Sequence, residues 1–370
     1  MSATRKQTIQ RRASGGYIWL GHDPADSEYL ATLPVRDIAY EVLPSEEAVG
    51  RAMLAEIEDA AAAKDGPLVV VIVGGRGGQA LHRILGAMAK TSEHDALLSR
   101  LHVFTQDALA PLRMDNGLSF VRDFERLLGD DFFRKVNSFT SMRMDAEDLE
   151  QELVRYIERL ESLGGIDLFF LGLGPEAGGA SHLAYIKPGS GASYSDVAGL
   201  IPISESILEH HIRKFKAGGT TVTDADEAEC RAAKHILTLG PAAILGARRV
   251  VQSIVDADTA PAKVESYRQL LTTKIADDAE TRQTQFDQNS GLWLRVHPNV
   301  RSLILQNVLP HGWPQRATPT VVAHQATSSI APEGQQTVVA DHATSSKERD
   351  GQQTVPDHAT SSKERDGQQL

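Results

Sequence analysis

LVVVIVGGRGGQAL, residues 68–81, passes from an unbroken β-branched run through four glycines into a helical pattern. A run that is short, β-branched and closed by glycine reads as a strand buried on both faces, the situation of strands in a parallel sheet. The helix expected over about residues 79–90 sets Leu81, Ile84, Leu85 and Met88 on one face. Working outward, the order repeats. LHVFTQ (101–106) offers the next strand, DAEDLEQELVRYIERLES (145–162) an amphipathic helix with Asp145 placed to cap it, and IDLFFLGLG (166–174) another buried strand. HILTLG, RVVQSIV and SLILQNVL follow. Such alternation predicts an α/β, Rossmann-like fold: a mostly parallel sheet with helices on both faces and ligands bound at the carboxyl ends of the strands.

The folded domain is expected at residues 36–312. Residues 1–35 read as an irregular N-terminal extension in which Tyr17, Ile18, Trp19 and Leu20 form a small apolar group able to pack on the core or on a partner. From about residue 313 the apolar periodicity stops, and ATSS recurs at Ala326, Ala343 and Ala359. These copies hold almost no Leu, Ile or Phe to offset the entropy of ordering, so residues 313–370 are expected to be a disordered repetitive tail. With 41% hydrophobic residues among 370, one substantial core is within reach. No apolar run reaches the roughly 18 residues of a membrane span, and the N-terminus lacks a signal-peptide apolar stretch, so a cytoplasmic protein with no membrane partner is expected. The single cysteine, Cys230, excludes an internal disulfide and a CxxC site. A formal charge of -11 argues against nucleic-acid binding, which needs a basic surface.

Three stretches carry the chemistry. In the glycine turn, backbone N–H groups at a helix start suit an anion, although such turns also serve merely to tighten a strand-to-helix connection. Asp107 follows the second strand, where a carboxylate either abstracts a proton from a sugar carbon or caps a helix. LGLGPEAGGASHLAYIKPGSG, residues 171–191, is a long glycine-rich loop at a strand terminus carrying Glu176, His182 and Lys187. Loops so placed are often functional, and His182 is the side chain best suited to move protons near neutral pH. His210 and His211 form no HExxH-like pattern, so no metal is assigned, and no cofactor is implied. There is no GxSxG elbow.

Taken in order, these stretches resemble the glucosamine-6-phosphate deaminase family, over most of residues 38–309, and the related 6-phosphogluconolactonases. The glycine turn GGRGGQAL matches that family's; Phe104–Ala108 stands at its FNMDE, and HLAYIKPGSG (182–191) at HIAFNEPGSS. AKHILTLGPAAILGARRVV (from Ala233) is similar to PKxALTVGVGTLLDAREVM, and SGLWLRVHPN (from Ser290) to SALQLHP. The resemblance implies a sugar-phosphate isomerase/deaminase type of fold. It makes Asp107 the enolising base between C1 and C2, gives His182 a part in opening the sugar ring, and lets Lys234 hold the phosphate with the backbone of Gly75, Arg76, Gly77 and Gly78. It also makes self-association into a homo-oligomer plausible. The chain departs from the pattern in several places. The turn lacks the hydroxyl residue beside the phosphate, Ala108 replaces the FNMDE glutamate, and Ala180 stands at the DGH aspartate. Lys187 replaces the FNE glutamate, which inverts the local charge of the relay. Alternatively, an insertion of about three residues makes Glu176, displaced toward the start of the loop, the counterpart of the DGH aspartate. No arginine follows PGSG, where Ser195 and Asp196 stand.

The first functional reading is therefore an aldose-ketose isomerase or deaminase with an altered site, since proton transfer needs one base and a ring-opening group, with Lys187 available to stabilise enediolate charge. A lactonase reading rests on LGLGPEAGGAS, but Gly179 stands where the lactonase catalytic histidine belongs. The third reading is a sugar-phosphate binder without catalysis.

Overall fold

Apolar runs without a polar break form the centre of the computed structural model, which describes residues 8–22, 28–217, 219–310 and 312–313. All but the first residue of the repetitive tail lie outside them. The described chain opens with a hairpin, β1 (Gln10–Ser14) and β2 (Tyr17–Gly21). Strands and helices then alternate. β3 (Ala39–Leu43) leads to helix Glu46–Ala62, β4 (Leu68–Ile72) to helix Arg76–Met88, and β5 (Leu101–Thr105) runs almost directly into β6 (Asp107–Ala110). Helix Phe120–Lys135, β7 (Ser138–Thr140), helix Leu149–Ser162 and β8 (Leu168–Leu171) follow, then the short strands β9 (Gly174–Pro175) and β10 (Ser181–His182). β11 (Asp196–Pro202), helices Glu205–Ala217 and Asp224–Arg231, β12 (His235–Leu239), β13 (Arg249–Ile254), helices Ala262–Thr272 and Ala279–Gln288 and β14 (Val300–Leu305) complete the described elements used below.

Seven strands form one sheet in the order β3-β14-β13-β8-β4-β5-β7, parallel throughout. Every residue of β4, β5 and β8 is buried, which is why their sequences show no polar alternation. Helix Arg76–Met88 buries Leu81, Leu85 and Met88 as its periodicity requires. The cap of helix Leu149–Ser162 is Asp148, whose carboxylate accepts the Gln151 N–H at 2.9 Å; Asp145, the residue expected there, pairs instead with Arg143 at 2.9 Å.

A second sheet, antiparallel throughout, has the order β1-β2-β11-β12-β6. HILTL, grouped by sequence with the parallel strands, belongs here as β12, because an apolar strand covered on both sides reads the same in either kind of sheet. The apolar group of residues 17–20 lies in β2, where Trp19 is fully buried and Leu20 nearly so. No helix among the described residues is long and apolar enough to cross a membrane.

Candidate functional site

The two sheets meet where β5 passes into β6, and Asp107 sits just past that break, 3% exposed. Its neighbour Gln106 donates from Nε2 to Asp107 Oδ2 at 2.5 Å. Burial penalises the carboxylate and outweighs that single hydrogen bond, so the Asp107 pKa is pushed up to about 7. In the ladder Asp107 lies opposite Thr238 of β12, and the Thr238 hydroxyl donates to the Ala184 carbonyl. This contact ties residues 183–186 to the strand facing Asp107.

The loop of residues 174–191 is folded on itself by the β9–β10 pairing, which sets His182 across from Gly174. His182 Nδ1 lies 2.6 Å from Glu176 Oε1. Burial alone would raise the Glu176 carboxyl, but the bond from His182 and the charges of His182 and Lys187 outweigh it and hold Glu176 below its ordinary range. An anionic Glu176 accepting from Nδ1 fixes the ring and leaves Nε2 to exchange protons. The approach is so close that a Cβ on Gly174 would fall 1.8 Å from Nε2, so only glycine leaves room for the ring.

Beyond His182 the chain makes a tight turn in which Ile186 N–H donates to Leu183 O at 2.7 Å. Its two central residues, Ala184 and Tyr185, have φ of 45° and 58°, a left-handed conformation that a tyrosine adopts only at a cost. The turn puts the Tyr185 ring on His182, with centroids 5.4 Å apart and planes 14° from parallel. Ser290, from the SGLW segment, holds it by accepting the Leu183 N–H at 3.1 Å and donating to Ile186 O at 2.5 Å. The N-terminal hairpin reaches the far end of the loop. Trp19 Nε1 donates to Ser190 O at 3.0 Å, and Arg12 donates to Gly191 O at 2.7 Å and to the Asp196 carboxylate.

Asp107, Glu176 and His182 thus gather around the Tyr185 turn. Lys187 turns aside: its ammonium donates to Ser204 Oγ at 3.0 Å, and its charge acts on Glu176. The glycine turn lies at the carboxyl end of β4, with Gly75 at φ 71° as the N-cap residue and Arg76, Gly77 and Gly78 forming the first turn of the helix. Helix starts leave N–H groups without intrahelical acceptors. The Gly77 carbonyl accepts the Ser253 hydroxyl at 2.8 Å, and the Gly78 α-carbon backs onto Val73 O and His82. The Arg76 side chain is engaged elsewhere, with Glu46 at 2.6 Å and Asp258 at 2.9 Å. Lys234 precedes β12 and is exposed; its backbone N–H donates to Ala110 O and its carbonyl accepts from Ile203 N–H, both at 3.0 Å, while its ammonium makes no hydrogen bond or ion pair among the described residues.

The sequence reading passed over Tyr185 and Gln106. A tyrosine standing at the Phe of HIAF was a usable signal for the first, whereas Gln106 had none. It also passed over Lys214 and Lys263, which flank Asp256 just beyond β13 at 2.8 and 2.5 Å.

A seven-stranded parallel sheet with ionisable groups beyond the carboxyl ends of its strands, joined to an antiparallel sheet, defines a two-sheet α/β fold. The comparisons with known proteins agree. The chain is 26% identical over 155 residues to glucosamine-6-phosphate deaminase 1 of Bacillus subtilis strain 168, an alignment covering 41% of this chain and 55% of that protein. The chain spans about half the length of the curated relatives it matches. Among solved structures, a monomeric glucosamine-6-phosphate deaminase superposes with a TM-score of 0.54 at 21% identity, covering 73% of this chain and 98% of that one. A 6-phosphogluconolactonase from Trypanosoma cruzi gives 0.52 at 14%, covering 75% and 97%. No protein-family model matches. The chain is thus similar in part of its sequence to glucosamine-6-phosphate deaminases, and it shares its fold with deaminase and 6-phosphogluconolactonase structures.

Proposed function

We propose that the protein is an enzyme that moves a proton between C1 and C2 of a sugar phosphate or amino-sugar phosphate, as an isomerase or deaminase with a rebuilt relay. The observation that carries this reading is Asp107: a buried carboxylate just past the carboxyl end of the parallel strand β5, paired with no cation among the described residues and raised to about 7. A general base is most effective when its pKa lies near the working pH. Asp107 would take the proton from one carbon and return it to the next. The Glu176-oriented His182 would open the ring by moving a proton between the ring oxygen and the anomeric hydroxyl. The start of helix Arg76–Met88 and the uncommitted Lys234 would receive the phosphate, since backbone N–H groups and a lone ammonium both favour an anion. Lys187, bound to Ser204, supports the site by keeping Glu176 ionised.

The test is deuterium incorporation at C2 of glucosamine 6-phosphate and at C1 of fructose 6-phosphate, followed by NMR in deuterated water for the wild type and Asp107→Asn. Exchange that depends on Asp107 is the expected result. Hydrolysis of a sugar lactone without exchange would move the protein to the lactonase side, and binding without turnover would make it a sugar-phosphate receptor.

A further inference from the structure

Tyr185 is held in a conformation its side chain disfavours. Both central residues of its turn are left-handed, yet neither is glycine or asparagine. A left-handed residue of this kind is strained and persists only where its surroundings impose it. Here they do: the Leu183–Ile186 hydrogen bond closes the turn, Ser290 grips both ends, and Thr238 takes the Ala184 carbonyl. The imposed geometry stacks the phenol ring on His182, within reach of the Asp107 charge. The hydroxyl itself has no hydrogen-bond partner among the described residues. Packing alone would be served equally well by phenylalanine, so the strain buys only the placement of an O–H group.

We propose that Tyr185 is a further catalytic residue, whose hydroxyl donates a hydrogen bond to the substrate oxygen that becomes anionic when Asp107 removes the neighbouring C–H proton. This rests on the proton-transfer reading above. In the step, the C–H electron pair forms the carbon–carbon double bond of an enediolate, and the carbonyl π pair moves onto oxygen. The proton resides on Asp107, and the Tyr185 O–H stabilises the new charge. The hydroxyl proton on the neighbouring carbon's oxygen then passes to the first oxygen across the cis-enediolate, the electron pair left behind forms the new carbonyl, and the double-bond pair takes the proton from Asp107 at the adjacent carbon, with no net change at Tyr185. Such a donor must stay protonated, and burial, reinforced by the Asp107 charge, raises the phenol above its ordinary pKa. A neutral O–H aimed at the developing charge takes up the role left open by Lys187, whose ammonium is turned to Ser204.

Tyr185→Phe isolates the hydroxyl, because the ring, the stack on His182 and the turn can all remain. Removal of one donor to a developing oxyanion costs about 10²-fold in kcat. The expected result is a fall of that order in kcat and in C2 exchange, with KM and thermal midpoint unchanged. Wild-type kcat in Tyr185→Phe, beside a wild type that exchanges, would overturn the role of Tyr185 alone. No exchange by the wild type would overturn the proton-transfer reading and this role with it. A fall in kcat accompanied by a lowered thermal midpoint would assign Tyr185 to folding and overturn the proposal as well.

Discussion

At about pH 8 the Asp107→Asn protein should resist urea better than the wild type, although it is expected to have lost its base. An aspartate in the unfolded chain titrates near 3.8, whereas burial holds the folded Asp107 near 7. Between those values the native state keeps a proton that the unfolded state has released, so wild-type stability falls as pH rises through the window and levels off above 7. A gap of roughly 3 units at about 1.36 kcal/mol each sets the pH-dependent part at about 4 kcal/mol. Asparagine does not titrate, but its added N–H₂ enters the same buried place and costs about 1–3 kcal/mol if unpaired. The variant should therefore be the weaker protein near pH 4 and the stronger by about 1–3 kcal/mol near pH 8. With a urea m-value of about 3 kcal/mol per molar for a chain of this size, the relative midpoint should travel by about 1 M across the series. Urea melts of both proteins at steps between about pH 4 and pH 8.5 provide the measurement. A relative midpoint that stays constant across that range would refute the claim that Asp107 is buried without a compensating charge. The same titration is expected in catalysis, with kcat/KM rising as pH passes through about 7 and the base is freed.

Gly174→Ala should displace the His182 ring, since the new methyl would sit 1.8 Å from Nε2; kcat is expected to fall at least about tenfold through the lost proton relay, with a modest change in thermal midpoint. Trp19→Ala removes a fully buried indole and its bond to Ser190, and should lower stability by about 3–5 kcal/mol in urea unfolding. Arg12→Met strips the Asp196 carboxylate of its cation while leaving it buried, so unfolding near pH 8 should show a loss of about 3 kcal/mol. Because burial already raises the Asp196 pKa, that loss should shrink as the carboxylate is protonated in acid.

The parallel sheet was legible because β4, β5 and β8 are covered on both faces and are apolar at nearly every position, with His102 and Thr105 of β5 the exceptions, a pattern few other environments impose. The antiparallel sheet was not. β12 carries the same kind of apolar run, and its direction is set by partners far along the chain: β11 on one side and β6 on the other. β1, with the sequence QRRAS, has no alternation to read, since it is an edge strand whose order comes from pairing with β2. Charged residues on such an edge also discourage pairing with another chain.

Asp107 and His182 could be singled out from their places at strand ends, but their environments could not. The Glu176–His182 contact depends on the chain reversing between β9 and β10, with Gly178 and Gly179 both left-handed, and on a glycine at 174 thin enough to admit the ring. The raised pKa of Asp107 arises from its burial, a property of the fold that no window of residues records. The substitutions that invert charge in the loop make better sense in three dimensions than in alignment. A lysine at 187 would oppose the removal of a proton if it sat on the base by keeping Asp107 strongly ionised and weakly basic. Directed to Ser204 it instead stabilises the anion of Glu176, which lies 2.6 Å from His182 Nδ1. On the proposed reading, the charges around His182 are placed differently from the family pattern while Asp107 stays in its buried, low-polarity setting, where its basicity is highest.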